Sequence, residues 1–159
     1  MEWYEINLDS QKVLKKIIKK NPEIIPLQSV LVAKELKETT KLLETSIVEL
    51  NDLTVVSLVS IFEQTLIGHL KNLIYSQFEP KNELNKRISD YTIEHAERGR
   101  FTEIIELFKP QVDSELIGMV KQVYTYRNWV AHGKLGDAPA KIDPISAYER
   151  LSDFLNKVL

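Results

Sequence analysis

The residues best suited to chemistry lie in one stretch, Tyr124-Thr-Tyr-Arg-Asn-Trp-Val-Ala-His-Gly-Lys134. It holds a guanidinium that stays charged and can grip an anion with two parallel hydrogen bonds (Arg127). It also holds an imidazole, which gives and takes protons near neutrality (His132), and an amide between them (Asn128). On an α-helix at 100° per residue, Tyr124, Asn128 and His132 follow one another at i, i+4 steps and share a face. Arg127 lies about 140° around the axis from His132, so the two do not converge on a straight helix. For them to act together the helix must be distorted, or Arg127 must reach across, or another chain must complete the site. The plain reading stands beside this one: Arg127 in a structural ion pair, His132 favouring the helix dipole, and Gly133 a C-terminal cap.

Apolar spacing around this stretch predicts an all-α protein. Apolar residues recur at three- and four-residue steps between breaks at Pro22, Pro26, Pro80, Gly99, Pro110, Gly133, Gly136, Pro139 and Pro144. A first helix spans 8–20, with Leu8, Val13, Leu14, Ile17 and Ile18 set against five lysines. A second occupies 28–50. The third, 53–78, is apolar over most of its circumference, which places it centrally. Shorter helices are predicted at 82–97 and 101–108. The late helix, 111–132, has a core stripe of Leu116, Met119, Val120, Val123 and Val130, and the last opens at Asp143 or Pro144. The expected architecture is a bundle of four main helices plus short ones, with an N-terminal amphipathic helix. The domain reading is an N-terminal helix and joint over 1–27, followed by a helical domain over 28–159.

Composition narrows the partners. The chain has 159 residues, 21 Lys and Arg against 23 Asp and Glu, and a net charge of −2. This excludes a polybasic coat protein, so any nucleic-acid contact must come from a local patch. With no Cys and only three His, disulfides, thiolate zinc sites and cysteine nucleophiles are out, and neither metal nor cofactor is expected. No apolar run approaches the ~20 residues a bilayer demands. The segment Met1–Glu5 lacks a basic n-region. A cytoplasmic location and no membrane partner are therefore expected.

Arg127-Asn-Trp-Val-Ala-His132-Gly resembles the Arg-x4–6-His motif of HEPN domains, the all-α superfamily named for higher eukaryotes and prokaryotes nucleotide-binding. The polar residue after the arginine, the position near the end of a late helix, and Phe62-Glu63 on the central helix all match its pattern. The resemblance covers 28–159. It implies a metal-independent endoribonuclease of toxin or defence type, with Arg127, His132 and Asn128 as catalytic residues. Glu63, Lys134 and Tyr124 are then supporting residues. Cleavage in this scheme uses the RNA's own 2′-OH as nucleophile and leaves a 2′,3′-cyclic phosphate and a 5′-OH. One motif histidine per chain implies a homodimer with a composite site, His69 or His95 being the alternative second base. RNA is the implied partner, with an antitoxin or regulatory protein as a further one. A subset of toxins carries a tyrosine two positions after the histidine, modified by a nucleotidyltransferase antitoxin. Lys134 stands there, so that partnership is not implied.

Several roles stay open on sequence grounds. Glu63 either pairs with Arg127 or faces a groove beside Ser60 and Gln64. Lys12–Lys20 form either a solvated face or a contact for RNA or an acidic partner. In either case Val13, Leu14, Ile17 and Ile18 dock that helix on the bundle or a second subunit. Trp129 and Tyr126 either stack on bases or pack. The competing function is a non-catalytic helical module that binds nucleotide or protein.

Overall fold

The computed structural model describes residues 1–78 and 82–159, so the predicted break at Pro80 lies outside the described residues. Six α-helices and one 3₁₀ turn occur among them, with no strand: α1 (Glu2–Lys20), the turn Pro22–Ile24, α2 (Leu36–Gln77), α3 (Glu83–Arg98), α4 (Phe101–Leu107), α5 (Ser114–Ala131) and α6 (Pro144–Val158). The all-helical expectation holds. Contacts divide the chain into two compact units, Met1–Thr54 and Val55–Leu159.

The first helix begins at Glu2 rather than at 8, and two larger features differ from the sequence expectation. Helices predicted at 28–50 and 53–78 are one helix of 42 residues, and 28–35 lies outside it in turns. The polar pair Asn51-Asp52 lies between the two apolar patterns, but neither residue competes with the helix. Asn51 Oδ1 accepts the Tyr4 hydroxyl at 2.9 Å, and Asp52 is buried. With no Pro or Gly between Leu36 and Ile67, nothing interrupts the ladder. The second difference follows from the first: α2 is long and apolar enough to cross a membrane by length and composition, contrary to the expectation that no segment is. A core helix passes the same test, and Val55, Val59, Phe62 and Leu66 of α2 are buried against protein.

In the first unit, α1 packs one stripe, Tyr4 and Ile18 being its buried ends, and Lys15 reaches Glu44 of α2 at 2.5 Å. Of the two dockings expected for Val13, Leu14 and Ile17, the one within the chain is corrected, and the one on a second subunit is not touched by this. They are exposed, and of that set only Ile18 is buried, because the packed stripe runs 4-8-11-15-18.

The second unit is organised around Phe62. Its ring meets Phe101 of α4 edge-on at 5.8 Å and Phe154 of α6 at 5.4 Å, and Phe154 in turn meets Phe108 at 6.0 Å. Edge-to-face rings add attraction beyond the area they bury. Leu116, Val120 and Val123 of α5 complete the core as the sequence pattern predicts, while Met119 and Val130 are packed at its margin.

The N-terminus of each late helix is fastened by a carboxylate. Asp113 caps α5 by accepting from the Leu116 N–H at 2.8 Å and also takes Lys157 of α6 at 2.7 Å. Asp143 caps α6 through Ile145 and Ser146. The Ser146 hydroxyl, then the two backbone N–H groups, hold the Asp143 carboxyl below the usual aspartate range. A carboxyl depressed in the folded state stabilises above its unfolded pKa, and this stabilisation is lost as pH falls through the folded value. Asp143→Ala is therefore expected to cost about 1 kcal/mol near neutrality. Denaturant titrations at descending pH should show the gap to the parent closing under acid.

Candidate functional site

The site is built where α5 runs beside the second-unit part of α2. Arg127 lies one helical turn after the buried Val123 and next to the buried Tyr126, so its side chain leaves the helix at the core's edge. There Arg127 Nη2 donates to Glu63 Oε2 at 3.1 Å, both side chains being four-fifths or so out of solvent (24% and 20% exposed). Arg127 Nη1 donates to Asn128 Oδ1 at 3.0 Å. The guanidinium also lies over the Tyr124 ring, 5.8 Å from its centroid. Of the two open roles for Glu63, the pairing with Arg127 is the one in the structure.

This arrangement sets the chemistry each group has left to offer. A guanidinium has five N–H groups, and two are engaged here, so three remain; one, Nε–H, is buried with no partner. Asn128 turns its carbonyl to Arg127, because a guanidinium only donates, and its amide N–H groups face away.

The helix ends at the histidine by a Schellman motif. The Gly133 N–H donates to Val130 O at 3.0 Å and the Lys134 N–H to Trp129 O at 2.8 Å, the two bonds that define it. Gly133 takes φ 75°, as the predicted cap requires, and Lys134 follows at φ 60°, an uncommon value for a side-chain-bearing residue. Lys134 Nζ sits 5.8 Å from the centre of the Trp129 ring, a contact that closes the motif across its own turn. His132 is the capping residue itself, at φ −91° and ψ 20°, and its ring is exposed. Among the described residues its side chain has no hydrogen-bond, ion-pair or ring partner.

The sequence-derived residues thus fall into two groups. Arg127, Asn128, Glu63 and Tyr124 are brought together. His132 and Lys134 stand at the helix end, and no bond joins His132 to Arg127. Tyr126 is buried beside Trp129, with ring centres 5.9 Å apart, so of its two open roles the structure shows packing. The two alternative bases are occupied otherwise: His69 packs near Phe108 and His95 stacks on Tyr91.

A groove of about 700 Å³ opens next to this cluster. Glu63, Tyr124 and Asn128 line it, together with Ser60, Gln64 and Thr125. Across from them stand Glu97, already paired with Lys71 at 2.5 Å, and Arg100. Arg100 is exposed and, among the described residues, makes no ion pair or side-chain hydrogen bond. With both carboxylates answered, Arg100 is the groove's uncompensated charge. Sequence reasoning missed it; the signal was Arg98-Gly99-Arg100, a basic pair flanking a recognised break. Among the described residues no three His, Asp or Glu side chains gather as metal ligands would.

Comparison with known proteins returns nothing: no family model, no curated protein and no solved structure matches the chain.

Two measurements check this geometry. A double-mutant cycle of Glu63→Gln and Arg127→Met should return a coupling of about 1–3 kcal/mol, since each single change strands a mostly buried charge or amide. Gly133→Ala should cost about 1 kcal/mol through backbone conformation alone. A Cβ there would touch nothing within 4 Å, so a larger loss would indicate a contact the structure lacks.

Proposed function

We propose that the chain is a metal-independent endoribonuclease of toxin or defence type, acting in the cytoplasm as a homodimer. The observation that carries this reading is the pairing of a pre-oriented Arg127 with a bare His132 in one motif. Glu63 and Asn128 fix the guanidinium while leaving three N–H donors uncommitted. The helix stops at an imidazole that no neighbour in the chain uses. The motif's resemblance to HEPN domains adds to this support.

In the proposed reaction the RNA 2′-oxygen attacks the adjacent phosphorus and the bond from phosphorus to the 5′-oxygen breaks. His132 of one copy takes the 2′ proton, and the protonated His132 of the second copy gives a proton to the departing 5′-oxygen. The uncommitted N–H groups of Arg127 hold the non-bridging oxygens as charge builds on them. A dimer supplies the second imidazole, since one chain offers a single motif histidine and couples it to nothing internally. Asn128, through its outward amide, and Lys134 serve the flanking phosphates. Arg100 and Tyr124 give the strand a place in the adjoining groove, which is large enough for a nucleotide.

One observation favours a different role. Glu63 cancels the charge of Arg127, which is how a purely structural arginine is commonly held. On that second reading the chain is a non-catalytic helical module that binds nucleotide or protein.

Labelled RNA incubated in EDTA with wild type, Arg127→Ala and His132→Ala separates the two. Wild type should cut and leave a 2′,3′-cyclic phosphate. Each variant should lose about 100-fold or more in rate, the ordinary worth of a general acid–base or oxyanion-stabilising group. No cleavage of several RNAs by a folded, dimeric wild type would favour the interaction module.

A further inference from the structure

Helix α1 carries three distinct rows of side chains. The row Tyr4-Leu8-Gln11-Lys15-Ile18 is the one packed within the first unit. A second row, Trp3, Ile6, Ser10, Val13 and Ile17, recurs at alternating three- and four-residue steps. Its apolar members stay in solvent: Trp3 is 66% exposed and Ile6 58%. That spacing is the heptad seam of a coiled coil, in which apolar residues repeat every 3.5 positions on average. The third row runs beside it with the same steps: Glu2, Glu5, Asp9, Lys12, Lys16 and Lys19, every one exposed. Its sign changes once, at the middle of the helix, level with Ser10.

Charge order decides what fits this face. Among the described residues the first five members of the charged row make no ion pair, and Lys19 acts on Glu44 only at longer range. The helix dipole accounts for acids in the first turn and bases in the last, but its influence fades within a turn of each end. It leaves Asp9 and Lys12 unexplained. It also leaves unexplained why Lys12 and Lys16 are set one turn apart, where like charges repel. A second α1 laid antiparallel about a two-fold axis near Ser10 answers both. The acidic half of each row then meets the basic half of the other, twice over by symmetry. A parallel arrangement would set acid on acid and lysine on lysine. Ser10, small and bonded to its own helix through Ile6 O at 2.7 Å, suits the crossing point.

We propose that α1 is a self-association element, pairing antiparallel with α1 of a second copy of this chain through Trp3, Ile6, Val13 and Ile17. The pairing lies within the first unit and does not depend on the ribonuclease reading.

Because the chain has no cysteine, Ser10→Cys introduces a single thiol at the crossing. In a glutathione redox buffer the full-length variant should form an interchain disulfide, whereas Ser76→Cys, exposed on α2, should not. Adding either Glu5→Lys with Asp9→Lys, or Lys12→Glu with Lys16→Glu, gives the charged row one sign except at a single end residue, Glu2 in the first case and Lys19 in the second. Each should lower cross-linking about tenfold through several like-charge contacts. An equal mixture of the two reversed proteins should restore it. Circular dichroism confirms that each variant is helical. Unchanged cross-linking in the reversed variants, as a parallel pairing would give, overturns the proposal; so does a mixture no better than its components.

Discussion

An arginine cannot shed its charge, and Arg127 is held with most of its side chain out of water. That constraint organises the second unit's functional edge. Burying a charge is tolerable only with a partner, and the partner, Glu63, comes from α2, next to the core residue Phe62. Phe62 beside it is locked between two aromatic rings, so Glu63 has little freedom to move away. The ion pair therefore ties α5 to α2 at one rotational setting of α5. It also decides which way Asn128 turns its amide and which donors Arg127 keeps.

The end of α5 obeys a separate constraint. Four carbonyls at a helix C-terminus lack partners, and here the Schellman turn satisfies two of them, Val130 O and Trp129 O, through the N–H groups of Gly133 and Lys134. The histidine stands at the capping position, the last residue before the chain leaves the helix. The same turn spends Lys134 on the Trp129 ring. Arginine and histidine are thus near in sequence but serve different local demands, one of charge compensation and the other of helix termination.

The first unit follows simpler rules. A helix of nineteen residues buries one stripe and needs only that stripe to stay in place. The remainder of α1 is free to carry a second pattern, and it carries an apolar seam beside a charge row with a single sign change. Patterns of that kind do no work inside the unit, where the exposed tryptophan and isoleucine only add apolar surface to water.

Much of this was legible in the residues alone. Three- and four-residue spacing foretold an all-helical chain, the stripes Val55-Val59-Phe62-Leu66 and Leu116-Val120-Val123, and both caps at Gly133 and Asp143, because helix periodicity and capping are local physics. Local physics also foretold that Arg127 and His132 would point apart. The continuity of α2 was not legible, since the polar pair Asn51-Asp52 lies between two apolar patterns, and Tyr4, the partner of Asn51, comes from a distant point in the chain. Nor was the choice for Glu63: a carboxylate with Ser60 and Gln64 nearby suits a groove as well as it suits an ion pair. Only the packing of α5 against α2 put a guanidinium within reach of it. The groove and Arg100 likewise exist only where α2, α4 and α5 converge. Short-range geometry is written in the order of residues, whereas which charges must answer each other depends on which helices meet.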